Sequence, residues 1–573
     1  MNNREIARVL ERIGTLLEFK GDNPFKVRAY YNAARTVSGL PYALEHSDAL
    51  DTLDRIPGIG EALGKKLREL IQTGRLEYLE RLESEISPEV LEMLRIPGLG
   101  PRKLHRLVDA LGVGSIGELE YACRENRIRL LKGFGEKSQE NILKGIEMIQ
   151  RFRGRLLLSD AKERAREIID ALRPMEGMKE TVVSGSIRRC AETVDEIDLV
   201  IRTAPGEREH VIGHVRAILN SADGQPADRF RVSGLLDDGV SCTIHLPEPQ
   251  FYPFALLLST GSAEHVEALA GHAREHGFSL TDRGLIRNGD FLPVRSEPDI
   301  YGHLGIPFIP PELREGCGEL EAALEENLPL LLEPSDIRGL LHVHTRWSDG
   351  SHTIGEMALA AKEMGMEYIG IADHSVSAAY AGGLSADAVR RQWEEIESLN
   401  DGNPGIRILK GIECDIRSDG SLDYDDSILE GFDFIIASVH SKLRMDRDEA
   451  TNRLVRAASH PLVTMVGHPT GRLLLAREGY PLDMDALLDA CACHGAMIEL
   501  NADPHRLDLD WRHLRDAAAR GVMVGINPDA HAVSGLATVW YGVGIARKGW
   551  LRREDVLNTL PLEEVMKKIG KAG

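Results

Sequence analysis

Cysteine is scarce in this chain, with seven among 573 residues. They stand at Cys123, Cys190, Cys242, Cys317, Cys414, Cys491 and Cys493. The number is odd and no CxxC pair occurs, so neither a disulfide framework nor a thiolate zinc site is indicated. A reducing cytoplasm fits. Long apolar runs are also missing, and none approaches the ~20 residues of a membrane span. The start, MNNREIARVL, has no signal-peptide pattern. An excess of positive charge is the third absence: 69 Lys and Arg face 90 Asp and Glu, a net charge of −21. Taken whole, that argues against a nucleic-acid partner. Residues 1–150, however, carry 23 of each sign, so the whole excess lies in the remaining 423 residues. An acidic half can still meet a polyanion if it binds divalent metals. What is present is an ordinary core-forming composition, 43% hydrophobic and 28% charged, which excludes disorder as the main state. The length suits roughly three to five domains.

Helical periodicity opens the chain. Residues 4–18 place Ile6, Val9, Leu10, Ile13, Leu16 and Leu17 on one face. Helical patterns continue to about 153, broken at Gly-rich turns. From about 179 segments such as TVVSGS and DLVIRT read as strands. Residues 310–338 begin with Pro-Pro and run acidic, and are read as a linker carrying one helix. After Gly339, short apolar runs recur, each ending in a polar residue: GLLHVH, YIGIADH, RILKGIE, FIIASVH, VTMVGH, AMIELN and VMVGINPDAH. Helix-like stretches separate most of them. Seven such repeats predict a parallel β/α barrel with its chemistry at the C-terminal strand ends.

Those strand ends carry the strongest signal. His342 and His344 alternate along one strand, so both imidazoles point to one side. Asp349, Asp373, His374, Glu413, His440, His468, Asp529 and His531 follow. Nine of these ten, all but Asp373, are of metal-ligand type, and Glu413 can bridge two ions. Mixed imidazole and carboxylate donors suit Mn²⁺, Zn²⁺ or Fe²⁺. Nine donors exceed the need of one ion, so two or three are implied, an arrangement suited to in-line displacement at phosphorus. Asp373 and Glu499 are read as partners that orient a ligand or serve structure. His352, His460, His494, His505 and His513 are read as ordinary histidines.

The stretches LHVHTRWSDG, IADHS, GIECDI, SVHS, GHPTGR, IELN and NPDAH resemble the PHP (polymerase and histidinol phosphatase) family over about 337–573. The resemblance implies a distorted (β/α)7 barrel with a trinuclear centre and phosphoesterase chemistry. It implies His342, His344, Glu413 and Asp529 around one ion. Glu413, His440 and His468 would hold the second, and Asp349, His374 and His531 the third.

In the first half, IPGIGEALGKKL (56–67), IPGLGPRKLHRL (96–107) and LKGFGEKSQENIL (131–143) share an apolar-x-Gly-x-Gly turn before a helix. Paired glycines let backbone N–H groups at a helix N-terminus approach a phosphate. The three resemble helix–hairpin–helix DNA-binding motifs, with Gly58, Gly60, Lys65, Gly98, Gly100, Arg102, Lys103, Gly133, Gly135 and Lys137 as candidate contacts. Such contacts touch backbone and not bases, which implies sequence-independent binding. Residues 20–37 add aromatics beside cations, a pattern suited to tracking a single strand or a gap. In similar repair polymerases a lysine at the position of Lys66 forms a Schiff base with an abasic sugar. Simple phosphate contact is the other reading of Lys66.

Residues 185–198 (GSIRRCAETVDEID) resemble the nucleotidyltransferase palm of family X DNA polymerases, as do STGS at 259–262 and IYGHLGIPFIPPELREG at 300–316. The whole chain resembles bacterial and archaeal family X polymerases with a fused PHP domain. The resemblance implies that Gly185, Ser186 and Arg189 hold a dNTP triphosphate, and that three carboxylates hold two Mg²⁺ or Mn²⁺. Here the alternating pair is Glu196 and Asp198 where the family has two aspartates. The extra methylene displaces a metal by about an ångström, worth about 10²-fold in a geometry-dependent site. The third position, in VSCTIHL, holds Thr243, and His245 replaces the usual arginine. Asp237 and Asp238 upstream are read as turn residues. Leu258, Ser259 and Val266 stand where the family has an aromatic turn and an asparagine. The palm is therefore expected to be degenerate.

The expected organisation is a helical DNA-end-binding domain (1–90), a helical fingers-like domain (91–153), an α+β palm (154–245), a thumb-like segment (246–316), a linker (317–338) and an α/β PHP barrel (339–573). The expected function is DNA repair. The PHP domain would be a metal-dependent 3′–5′ exonuclease, with abasic-site cutting as an extension, fed with gapped or single-stranded DNA by a monomer. Alternatives are an active gap-filling polymerase proofread by the PHP domain, a small-molecule phosphatase, and a non-enzymatic DNA-binding or partner-binding module.

Overall fold

Residues 3–40, 44, 53, 56, 58–124, 127–129, 131–152, 154–175, 177–219, 230–236, 239–402 and 405–570 are described in a computed structural model. The chain divides into two units, Met1–Arg153 and Gly154–Gly573. The first is helical among its described residues, and its apolar periodicity builds one core. Ile6, Leu10, Ile13, Leu16 and Leu17 of the helix Asn3–Phe19 are buried there, with Leu67, Leu104 and Leu107 of later helices.

Each hairpin solves one local problem. The chain reverses at Gly58, Gly98 and Gly133, all with left-handed φ of 79–87°. Only glycine adopts that backbone without strain. Gly60 and Gly100 then cap the helices Glu61–Thr73 and Pro101–Leu111 with no side-chain hydrogen bond, so backbone N–H groups stay on offer. A side chain added at Gly60, Gly100 or Gly135 would meet open space.

The second unit opens with a four-stranded sheet: β1 (Met178–Val183), β2 (Ile197–Thr203), β3 (Arg231–Leu235) and β4 (Ser241–His245). Its order is β1-β2-β4-β3, and β2 and β4 run parallel with Asp198 opposite Thr243. A thumb follows, with helices Tyr252–Thr260 and Ala263–Glu275 and a small antiparallel sheet of β5 (Phe278–Thr281), β6 (Gly284–Arg287) and β7 (Asp290–Phe291).

Seven parallel strands then run in sequence order: β8 (Gly339–Val343), β9 (Tyr368–Ile371), β10 (Arg407–Asp415), β11 (Phe434–Ser438), β12 (Met465–Val466), β13 (Met497–Asn501) and β14 (Val524–Asn527). The barrel nearly closes, because Val343 just past His342 bridges Ala530 just past β14. Tyr368, Leu409, Phe434, Met465 and Met497 pack together with Val565 and Ile569 of the last helix. A second apolar layer lies between strands and outer helices.

The segment 317–338, expected to be a linker, is packed. Leu320, Ala323 and Leu331 join the thumb core, and the Leu332 amide donates to Leu551 of the barrel. One of its acidic residues is buried, Glu319, which accepts from buried His265 at 2.7 Å, while Glu321, Glu325, Glu326 and Glu333 are exposed. Among the described residues no helix is long and apolar enough to cross a membrane.

Candidate metal centre and nucleic-acid interface

The polar residues that end the barrel strands converge. Glu413 on β10 sits at the middle. Its Oε1 lies 3.3, 3.2 and 2.9 Å from the Nε2 atoms of His342, His440 and His468. Its Oε2 lies 3.6 Å from His344 Nε2 and 2.9 Å from His374 Nδ1. Asp529 Oδ1 stands 3.6 and 3.1 Å from His342 and His344. Asp349 Oδ2 stands 3.6 and 3.4 Å from His374 and His531. All nine sequence-predicted side chains are thus in one cluster.

Within it three groups have donor atoms close enough to share an ion: His344, Asp349, His374 and His531; His342, His344 and Asp529; His374, Glu413 and His440. The sets overlap the expected ones but differ in detail. His344 joins the Asp349 group, and His374 takes the place expected for His468 beside Glu413 and His440. His342, His468 and Asp529 have left-handed backbones, φ 56°, 23° and 50°, a strain that collects at functional sites.

The donor set fits divalent cations. His342 Nε2, both ring nitrogens of His344, His468 Nδ1 and Glu413 Oε2 are buried without a hydrogen bond, which native interiors rarely tolerate without a ligand. The electrostatics agree. Burial opposes charge on Glu413 and Asp529, yet the imidazoles hold both carboxyls well below their usual range. Burial and the neighbouring His531 and His374 push His344 down to about 3. At His440 burial is outweighed by Glu413 and Asp415, and the imidazole rises to about 10. Divalent cations at these donors would resolve this conflict between proton-attracting and proton-repelling groups.

A surrounding layer aims the donors. Glu499 on β13 accepts from His342 Nδ1 at 2.6 Å and from the His468 amide at 2.7 Å. Asp415 pairs with His440 Nδ1 at 2.8 Å. Asp373 faces away from the donors. It accepts from the Thr345 amide and hydroxyl, both at 2.7 Å, and from Gln392 at 2.6 Å, and so pins the loop after His344. Sequence reasoning missed Asp415, although two residues after Glu413 on one strand is the same face.

The palm cluster is built differently. Thr243 Oγ1 donates to Glu196 Oε1 at 2.6 Å and lies 2.7 Å from Ser233 Oγ. Asp198 is 3.8 Å from His245 Nε2. Gly185 has φ +60°, and a Cβ there would fall 2.1 Å from Asp198 Oδ2, so the strand–helix turn closes onto that carboxylate. Ser186 is half-buried in the short helix Gly185–Arg188. Arg189 is already engaged, by Glu315 at 2.8 Å and the Thr260 carbonyl at 2.7 Å. Asp237 and Asp238 lie outside the described residues.

In the helical unit, Lys103 and Lys137 are exposed, Lys65 pairs with Glu61 at 2.8 Å, and Arg102 pairs with Glu18 at 2.9 Å. Arg106 lies across Gly133 and donates to the Lys132 carbonyl, so the third hairpin is partly covered. Lys66 Nζ stands over the Tyr78 ring, 4.5 Å from its centroid, with Lys26 and Arg81 on the same ring. Burial and the Lys26 charge lower its pKa. Phe25 is 78% exposed, whereas Tyr30 belongs to the core.

Known proteins match this architecture segment by segment. A helix-hairpin-helix domain model matches residues 1–76 and a SAM-like helix-hairpin-helix tandem matches 90–147. The DNA polymerase beta thumb matches 255–315 and the PHP domain matches 341–503. The DNA polymerase/3′-5′ exonuclease PolX of Bacillus subtilis (strain 168) is 36% identical over 573 residues, covering 99% of both chains. A probable phosphatase of Thermoanaerobacter sp. (strain X514) is 26% identical over 38% of this chain and 89% of its own length. The probable phosphatase YcdX of Escherichia coli O81 (strain ED1a) is 28% identical over 28% of this chain and 62% of its own length. With helix–hairpin–helix motifs, thumb and PHP barrel in one chain, and a relative matched from end to end, this protein belongs to the family X DNA polymerases that carry a C-terminal PHP domain.

Proposed function

We propose that this protein is a cytoplasmic, monomeric DNA-repair enzyme whose PHP domain is a metal-dependent 3′–5′ exonuclease, with abasic-site cutting as an extension of the same chemistry. The observation that carries this reading is the cluster of nine ligand-type side chains, in which buried donor atoms of His342, His344, His468 and Glu413 have no hydrogen bond among the described residues. The end-to-end relative named a polymerase and 3′-5′ exonuclease supports it. When bound, two or three Mn²⁺ or Zn²⁺ ions would supply an activated water and neutralise charge at phosphorus. His342, His344, Glu413 and Asp529 would hold one, Glu413, His440 and His468 another, and Asp349, His374 and His531 a third. Glu499 and Asp415 hold the rings of His342 and His440 in place. The hairpins offer backbone N–H groups to the phosphates of gapped or single-stranded DNA.

In the same reading the palm binds DNA and synthesises weakly or not at all. The position opposite Asp198 is Thr243, whose hydroxyl donates to Glu196 and whose side chain brings no charge for Mg²⁺ or Mn²⁺. Arg189, held by Glu315 and Thr260, offers a dNTP triphosphate less than the family resemblance implies. The phosphatase relatives match only 38% and 28% of the chain, and the helix–hairpin–helix segments support a DNA substrate.

The test is degradation of a 5′-labelled single strand in Mn²⁺. It is expected to release nucleotides from the 3′ end and to vanish in His342→Ala and Asp529→Ala. Hydrolysis of p-nitrophenyl phosphate with no action on DNA would favour a phosphatase. A lyase step by Lys66 is a second reading, favoured by its depressed pKa over Tyr78. Borohydride trapping on abasic DNA, lost in Lys66→Ala, tests it.

A further inference from the structure

The arginines around the metal-type cluster fall into two kinds. Arg472 donates from Nε to the Arg506 carbonyl at 2.9 Å, from Nη1 to Asp510 at 2.9 Å, and from Nη2 to the Leu507 carbonyl and to Glu192 of the palm. Arg453 gives its donors to the carbonyls of Arg417, Ser441 and Ile416. Arg477 gives Nε and Nη2 to the Gly471 carbonyl, at 3.2 and 2.8 Å. These three are structural, since backbone and carboxylate acceptors use their donors.

Arg506 is the other kind. Among the described residues its guanidinium makes no hydrogen bond, and its ion-pair partner is Asp529, with Nε 3.6 Å from Oδ2. That oxygen already accepts from Asn501 Nδ2 at 3.0 Å, while Oδ1 faces His344. The Arg506 side chain keeps 20% exposure, so its donors are within reach of solvent at the edge of the cluster. Its backbone is fixed, because Arg472 holds the carbonyls of Arg506 and Leu507. A guanidinium stays cationic across the physiological pH range. A fixed guanidinium with unused donors beside a cation site has one natural occupant. That is an anion with two or more oxygens lying between guanidinium and metals, which the planar fork meets bidentately.

We propose that Arg506 binds the scissile phosphate of the substrate strand, contacting its non-bridging oxygens from the side opposite the metal-type donors. This rests on the phosphodiesterase reading of the PHP domain. No sequence motif marks Arg506, which lies in a loop between β13 and the helix Trp511–Ala519.

The test compares Arg506→Gln and Arg506→Lys with the wild-type full chain loaded with Mn²⁺. Three quantities are read: kcat/KM on a 5′-labelled single strand, affinity for the product-like mononucleotide dTMP by calorimetry, and bound Mn²⁺. In Arg506→Gln, kcat/KM is expected to fall about 10²–10³-fold, the loss typical of a removed charge-stabilising donor. The dTMP affinity is expected to fall at least about 10-fold. Bound Mn²⁺ should be unchanged, and Arg506→Lys should recover part of both losses. Phenylglyoxal labelling of the wild type, mapped to Arg506 and blocked by dTMP, gives a readout independent of variant folding. Wild-type kcat/KM and dTMP affinity in Arg506→Gln would overturn the proposal. So would loss of Mn²⁺ in step with activity, which would assign Arg506 to support of Asp529, or labelling indifferent to dTMP. A wild type inert on DNA would instead defeat the exonuclease reading, and the dTMP arms would still decide the role of Arg506.

Discussion

The two carboxylate centres of the second unit sit on similar foundations and differ in what surrounds them. Both stand on parallel strands of buried apolar residues. In the barrel, buried nitrogens of His342, His344 and His468 and an oxygen of Glu413 have no hydrogen-bond partner among the described residues. In the palm, the Ser233, Thr243 and Glu196 side chains satisfy one another. Unpaired buried polar atoms are costly, about 1–3 kcal/mol each, and persist where a ligand compensates. A site that still expects a cation keeps orphans. The palm has closed Glu196 with hydroxyls, and the buried orphan beside Asp198 is the Ser184 hydroxyl, not an imidazole or carboxylate. Hydrogen-bond satisfaction therefore separates the two centres better than carboxylate count does.

Three variants sharpen that contrast. The largest effect is expected from rebuilding the palm. Thr243→Asp together with Glu196→Asp restores three short carboxylates and breaks the hydroxyl network, and primer extension is expected to rise about 10²-fold or more. Exonuclease rates should not change. Unchanged extension would mean that the palm was lost through the nucleotide-holding residues and not through its metal donors.

A smaller effect is expected when the layer behind the barrel donors is removed. Asp415→Asn leaves His440 in place but removes the carboxylate that orients it. Metal affinity is expected to fall about 10–100-fold, measured by Mn²⁺ titration, with folding retained. The same substitution should leave DNA binding untouched.

The smallest effect on either centre is expected from Glu297→Gln, which tests the frame between palm and thumb. Glu297 is buried and pairs with Arg188 and fully buried Arg314. Burial raises its carboxyl, but the two guanidinium groups outweigh it and hold the pKa below its ordinary 4.5. The pair therefore stabilises the fold above pH 4.5, and this contribution is lost as pH falls through the lower folded value. At pH 7 the variant should lose about 3 kcal/mol in denaturant unfolding, because breaking a buried pair strands the partner charge. Well below pH 4.5 variant and wild type should converge.

Much of the barrel centre was legible because apolar runs of strand length end in histidine and carboxylate residues, and the parallel β/α fold puts those ends on one face. Thr243 was legible as the third position only through the family resemblance, and the strand register then sets it opposite Asp198. Contacts across long sequence separations were not. The Arg472–Glu192 pair joins residues 280 apart, and nothing local marks either partner. Arg506 was missed for a related reason, as a loop has no period to betray which side chain turns inward. The acidic stretch before Gly339 reads by composition as a linker. Part of that charge has specific partners, Glu312 with Arg547 and Glu315 with Arg189 and Lys548, while Glu321, Glu325 and Glu326 are exposed.

A single gel decides between a working and a disused palm beside a working barrel. A 5′-labelled primer on a gapped template is incubated with Mn²⁺, with and without dNTPs. Shortening of the primer in both lanes, with no extension and with loss of shortening in Asp529→Ala, is the expected result. Extension in the dNTP lane that disappears in Asp198→Ala would contradict it, and would show that Glu196 and Asp198 suffice for synthesis without a third carboxylate.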